Sequence, residues 1–123
     1  MPQSRLTGLT VLLAEDNLIV ALDLEAALHD SGARVAGPAV RVEEALSLVA
    51  EDEPHAAILD FNLLDGAAVP VLEWMVERGL PVVICTGAGL PEDLVARFPD
   101  LPVFMKPTMP ERLVEVLAER LGR

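Results

Sequence analysis

Five short apolar runs, spaced so that a helix-like segment follows each, narrow the folds open to this chain more than any other feature. Leu9 to Ala14 runs straight into Glu15-Asp16-Asn17, and Ala33 to Ala36 is closed by Gly37-Pro38. Ala56 to Leu59 delivers Asp60, Pro81 to Cys85 ends at Thr86, and Pro102 to Met105 ends at Lys106-Pro107. Runs this short and this continuously apolar suit strands buried on both faces.

The intervening segments carry helical spacing. From Leu18 to Asp30, Ala21, Leu24 and Leu28 fall on one stripe, with Asn17 as N-cap and Gly32 as the stop. Val42 to Glu51 places Ala45, Leu46 and Val49 on one face, and Pro54 ends it. Leu64-Asp65-Gly66 is turn chemistry, and a third helix is expected from about Ala67 to Glu77, with Pro70 in its first turn. Gly87-Ala88-Gly89 reads as a flexible loop before a short helix over Pro91 to Phe98. The last helix opens on Thr108-Met109-Pro110-Glu111, which has the form of a capping box, and continues through Leu113, Val116, Leu117 and Leu121.

Strands alternating with helices imply a doubly wound α/β domain with a parallel sheet. In such sheets ligands bind beyond the carboxyl ends of the strands. Glu15-Asp16, Asp60, Thr86 and Lys106 each stand at such an end, so all are expected on one edge.

Composition limits what that edge can do. The chain has 123 residues, enough for one domain, and a net charge of −11. Binding to nucleic acid or to an anionic membrane surface is therefore not expected, because both need clustered Lys and Arg. The single cysteine, Cys85, allows no internal disulfide and reads as a small core residue. No signal peptide is read in the polar start from Met1 to Thr7, and no apolar run reaches the roughly 20 residues of a membrane span. A reducing, cytoplasmic setting is the expectation.

Carboxylates held close together stay ionised only beside a cation. With oxygen ligands and neither His nor Cys at these strand ends, Mg²⁺ is favoured, with Mn²⁺ as a substitute. Asp16 and Asp60 would hold the ion, Glu15 would orient it through water, and the backbone carbonyl of Asn62 could complete the shell. Asp60 can act as a nucleophile toward phosphorus, with the Lys106 charge and the Thr86 hydroxyl meeting the phosphoryl oxygens.

LLAEDN at 12–17, AAILDFN at 56–62, VVICTG at 82–87 and MKP at 105–107, in this order, resemble the response-regulator receiver domains of two-component signalling over nearly the full chain. The resemblance implies a flavodoxin-like (βα)5 domain with strand order 2-1-3-4-5. It implies that Glu15 and Asp16 bind magnesium, that Asp60 is the phosphoacceptor and that Thr86 is the switch hydroxyl. Lys106 would contact the phosphoryl group, with a cis bond to Pro107. A histidine kinase or a histidine phosphotransfer protein would be the donor. The run Ile84 to Gly89 partly matches a subgroup of single-domain receivers with an F-A-T-G-type motif, without its aromatic residues. Receivers usually carry Tyr or Phe three residues before the lysine, where this chain has Val103. Movement of Thr86 and of the Gly87–Leu90 loop is the substitute expected for an aromatic switch.

With Arg123 directly after the last helix, residues 1–123 are expected to be a single receiver domain without an output domain. Its downstream protein would meet the face formed by the fourth helix, fifth strand and fifth helix. Three other readings compete. A phosphatase working through an aspartyl phosphate needs a second acid near Asp60, where Asn62 stands, and a cap domain. A degenerate module that does not turn over phosphate would not need the full set of Glu15, Asp16, Asp60, Thr86 and Lys106. A receiver fragment of a longer transcriptional regulator fits the same residues. Asp65 reads as a turn residue. His29 and His55 read as solvated surface groups, and the row Glu111, Glu115 and Glu119 as a solvated helix face.

Overall fold

The register of neighbouring strands explains how distant segments reach one edge. The computed structural model describes residues 4–123. The expected polar start at Met1 to Thr7 lies partly outside those residues. The principal strands are β1 (Thr10–Ala14), β2 (Arg34–Ala39), β3 (Ala56–Asp60), β6 (Val82–Thr86) and β7 (Val103–Met105). They form one parallel sheet in the order β2-β1-β3-β6-β7. Two-residue strands β4 (Asn62–Leu63) and β5 (Gly66–Ala67) make a separate antiparallel hairpin after β3. With that hairpin set aside, the order is the expected 2-1-3-4-5.

The helices are α1 (Leu18–Asp30), α2 (Val42–Asp52), α3 (Val69–Glu77), α4 (Glu92–Arg97) and α5 (Pro110–Arg120). Alternate residues along each strand face opposite sides of the sheet. Val11, Leu13, Ile58, Val83 and Cys85 pack with α1 and α5 in one cluster. Leu12, Ala14, Ala57, Leu59 and Ile84 pack with α2, α3 and α4 in the other. All five residues of β1, β3 and β6 are buried, which is why these strands read as unbroken apolar runs.

Local chemistry sets the ends of the helices. Asn17 caps α1 as expected, its side chain accepting from the amides of Ile19 and Val20. Ala21, Leu24 and Leu28 form the buried stripe of α1. His55 is exposed, and its Nδ1 accepts from the Thr10 amide, which fastens the start of β1. Trp74 is half-buried beside fully buried Met75.

Three local expectations are corrected. β2 does not stop at Ala36 but continues through Gly37-Pro38 to Ala39, with its pairing to β1 shifted between Leu12 and Ala14. Gly37 makes this possible: its φ is 115°, and a Cβ there would lie 2.4 Å from the Leu13 carbonyl oxygen. α3 begins at Val69 rather than Ala67, because residues 66–67 pair back on 62–63. No capping box opens α5. Met109 is its N-cap, and the Thr108 hydroxyl instead donates to the Met105 carbonyl at 2.6 Å.

Candidate functional site

Each strand end is fixed to its neighbour by a backbone bond just past the sheet. The Glu15 amide donates to the Ala39 carbonyl at 2.9 Å, Phe61 to Cys85 at 2.9 Å, and Lys106 to Thr86 at 2.8 Å. Glu15, Asp16, Asp60, Thr86 and Lys106 therefore lie along one carboxyl edge, as the sequence led one to expect.

Side-chain geometry brings four of these groups together. Glu15, Asp16 and Asp60 each offer a carboxylate oxygen, and these oxygens lie within 4.8 Å of one another. Lys106 Nζ donates to Glu15 Oε2 at 2.9 Å and to Asp60 Oδ2 at 3.0 Å. Glu15 Oε2 also accepts from the Asn17 amide, and Asp60 Oδ1 accepts from the Asn62 amide at 3.2 Å. The Lys106–Pro107 peptide is cis.

The electrostatics are those of an anionic cluster short of positive charge. Burial, together with the adjacent Asp16 carboxyl, pushes the Asp60 pKa up to about 7, against the pull of Lys106. Hydrogen bonding to Asp60 is the chief cause holding Asp16 below the usual carboxylate range. Of the two carboxyls, Asp60 is thus the one whose environment favours the protonated form. Burial works against the Lys106 ammonium, yet its bonds to Glu15 and Asp60 hold its pKa above the ordinary value. Burial also drives the Cys85 thiol up to about 12, which fits a packed core cysteine and not a nucleophile.

Glu15 Oε1 is buried and, among the described residues, has no hydrogen-bond partner. A buried acceptor left unpaired is costly unless something fills the position. Three convergent carboxylates with one such orphaned oxygen form a donor set that can hold a metal ion.

Thr86 is fully buried and tied into the loop that follows it. Its hydroxyl donates to the Gly89 carbonyl at 3.2 Å and accepts from the Ala88 amide at 3.1 Å. In the β6–β7 register Cys85 stands beside Phe104, so the Phe104 ring packs on the α1–α5 side. Val103 stands beside Ile84 and Met105 beside Thr86, and both are exposed. No aromatic residue of β7 lies on the Thr86 side of the sheet.

Asp65, read from sequence as a turn residue, also accepts from the amides of Val42 and Glu43 at the start of α2. The signal for this was a helix whose N-cap residue, Arg41, has no side-chain acceptor for the Val42 and Glu43 amides.

An open parallel sheet of this order, with an acid cluster and a lysine at its carboxyl edge, defines the receiver class of signalling domain. The chain is similar to SdrG from Sphingomonas melonis Fr1, with 34% identity and a TM-score of 0.77 over 96% of this chain and 98% of that one. It is also similar to the response regulator PhyR from Brucella abortus, with 27% identity and a TM-score of 0.78, covering 97% of this chain. The chain spans about half (50%) of that protein's length. The receiver domain of the PhyR response regulator from Erythrobacter litoralis shares the fold, with a TM-score of 0.79 at 24% identity over 94% of this chain and 92% of that one. No family model and no curated protein matches the chain. With its structural neighbours receiver domains of response regulators, the chain belongs to the response-regulator receiver family. Among the described residues, no helix is long and apolar enough to cross a membrane.

Proposed function

We propose that this receiver works in a cytoplasmic phosphorelay, in which Asp60 takes a phosphoryl group from a phosphohistidine on a histidine kinase or a histidine phosphotransfer protein. The convergence of Asp60, Glu15, Asp16 and Lys106 at one strand edge carries the reading. An Asp60 carboxylate oxygen forms the new O–P bond as the P–N bond of the donor breaks. The donor imidazole keeps the electron pair and takes up a proton. Lys106, already within hydrogen-bond reach of Asp60, stays beside the phosphoryl oxygens and offsets their charge.

Glu15, Asp16, Asp60 and the Asn62 carbonyl would hold Mg²⁺, and Mn²⁺ suits the same oxygens. When bound, the ion neutralises charge on the cluster and on the phosphoryl oxygens. Asp60 must be ionised to attack phosphorus, and a cation held by these carboxylates would favour that form.

Readout passes through Thr86. A hydroxyl drawn toward the phosphoryl group must leave Ala88 and Gly89, which frees the loop before α4. Val95, Val103 and Met105 are exposed on the α4–β7 side, which suits a protein partner on the face made by α4, β7 and α5. The domain then acts as a signalling element, not as an enzyme with a separate substrate.

Beryllofluoride, a phosphoryl mimic, tests the site directly. Fluorine NMR of the protein with Mg²⁺ should show bound fluoride resonances that vanish in Asp60→Asn. A native protein that gives none at saturating Mg²⁺ would overturn the reading.

A further inference from the structure

The start of α2 has an unusual source of caps. A helix leaves its first amides without internal partners, and a side-chain acceptor normally fills that need from the N-cap position. Here the N-cap residue is Arg41, whose guanidinium has no acceptor. Glu44 Oε1 takes the amides of Val40 and Arg41 at 2.9 and 3.2 Å. The next two amides, Val42 and Glu43, go to the carboxylate of Asp65 at 2.6 and 3.2 Å, from 23 and 22 residues away in sequence. Those bonds hold the Asp65 carboxyl below the usual range, although the residue is exposed.

Asp65 sits at the tip of the β4–β5 hairpin, and that hairpin starts at Asn62. The Leu64 amide adds a third bond from the tip, to the Val40 carbonyl at 3.0 Å. The base of the hairpin is fixed by Phe61 to Cys85 at 2.9 Å and by Ala68 to Phe61 at 2.7 Å. Asn62 therefore lies between two anchored points. Leu63, next to Asn62, is buried in the core, but Leu64 at the tip is 59% exposed, so beyond Leu63 the tip is tied to α2 by the Asp65 bonds and the Leu64 amide. A carbonyl ligand cannot adjust by side-chain rotation, so whatever fixes its backbone fixes the ligand.

We propose that Asp65 is a positioning residue: by capping α2 from the hairpin tip, it sets the backbone of Asn62 and thereby the affinity of the Asp60 site for its divalent ion. This rests on the reading of that site as metal-dependent. Coupling of this kind is reciprocal, so an ion bound at Asp60 should also hold the α2 start more firmly.

The test measures Mn²⁺ affinity by electron paramagnetic resonance in the native protein, Asp65→Ala, Asp65→Asn, and the double variant Arg41→Ser with Asp65→Ala. Asp65→Ala should weaken Mn²⁺ about fivefold or more, within the usual range of coupling. Asp65→Asn, which loses the charge but keeps one acceptor oxygen for the shorter bond to Val42, should recover part of the loss. A purely electrostatic effect would leave Asn as weak as Ala and would overturn the proposal. The double variant restores a local cap to α2 but leaves the hairpin without its two Asp65 bonds to that helix. It should regain thermal stability without regaining Mn²⁺ affinity, and recovery of both would reduce Asp65 to a helix cap. Unchanged affinity in every variant, beside normal binding in the native protein, defeats the inference alone. A native protein that binds no Mn²⁺ defeats the metal reading and this inference with it.

Discussion

Lys106 Nζ lies 3.0 Å from Asp60 Oδ2 while also bonding Glu15, so a single ammonium answers two carboxylates that are almost wholly buried. In the absence of metal it is the cation nearest the cluster, and it competes with a divalent ion for the same oxygens. Lys106→Met should therefore bind Mn²⁺ more tightly, by about tenfold if the interaction is worth ~1.4 kcal/mol at a partly screened site. The same variant should form the Asp60 adduct from a small acyl phosphate at least about a hundredfold more slowly, because a preorganised charge on the transferring group is gone. Parallel loss of binding and reactivity would show that Lys106 only supports the fold.

The raised Asp60 pKa makes metal-free stability fall with pH. A carboxyl that holds its proton more tightly folded than unfolded contributes stability below its unfolded value, near 3.8, and loses it as pH rises through about 7. In chelator, the melting temperature should drop between about pH 4 and pH 7, and saturating Mg²⁺ should largely abolish the drop. Asp60→Asn, which cannot ionise, should lack it and be the more stable protein above pH 7. A native profile that rises over that window would contradict a raised Asp60 pKa.

The readout proposed for Thr86 needs no aromatic partner. Its hydroxyl bridges Gly89 and Ala88, so recruitment to the phosphoryl group should perturb the amides of residues 87–90 and the start of α4. Beryllofluoride should shift these resonances in the native protein and in Thr86→Ser, and much less in Thr86→Ala. Shifts that stop at the Asp60 loop would remove Thr86 from the relay.

Gly37 is the residue on which the long β2 depends. Gly37→Ala must hold φ near 115° and push a methyl group toward the Leu13 carbonyl, 2.4 Å from the ideal Cβ position. Backbone strain of this kind costs ~1–3 kcal/mol before the clash is counted. Chemical denaturation should show a loss at or above that range with an unchanged slope. A neutral substitution would mean that the strand can realign around Gly37.

What the sequence disclosed follows from how locally each feature is encoded. Glu15, Asp16, Asp60, Thr86 and Lys106 each follow an apolar run, and a parallel sheet brings such ends together whatever the helices between them do. The α1 stripe and the Asn17 cap were legible for the same reason, whereas the strand order came from the resemblance to receiver domains. Features set by distant partners were not. The extension of β2 through Gly37-Pro38 depends on β1 pairing, and the function of Asp65 depends on amides 22 and 23 residues upstream. The apparent capping box at Thr108 misled because the Thr108 hydroxyl turns back to Met105.

Asp60 is proposed to accept a phosphoryl group with the help of a divalent ion. Intact-mass spectrometry after incubation with Mg²⁺ and a small acyl phosphate measures this most directly. The native protein should gain the mass of one phosphoryl group, and the gain should be lost on adding chelator beforehand and absent in Asp60→Asn. An unmodified native protein, or an adduct that survives in Asp60→Asn, would contradict it.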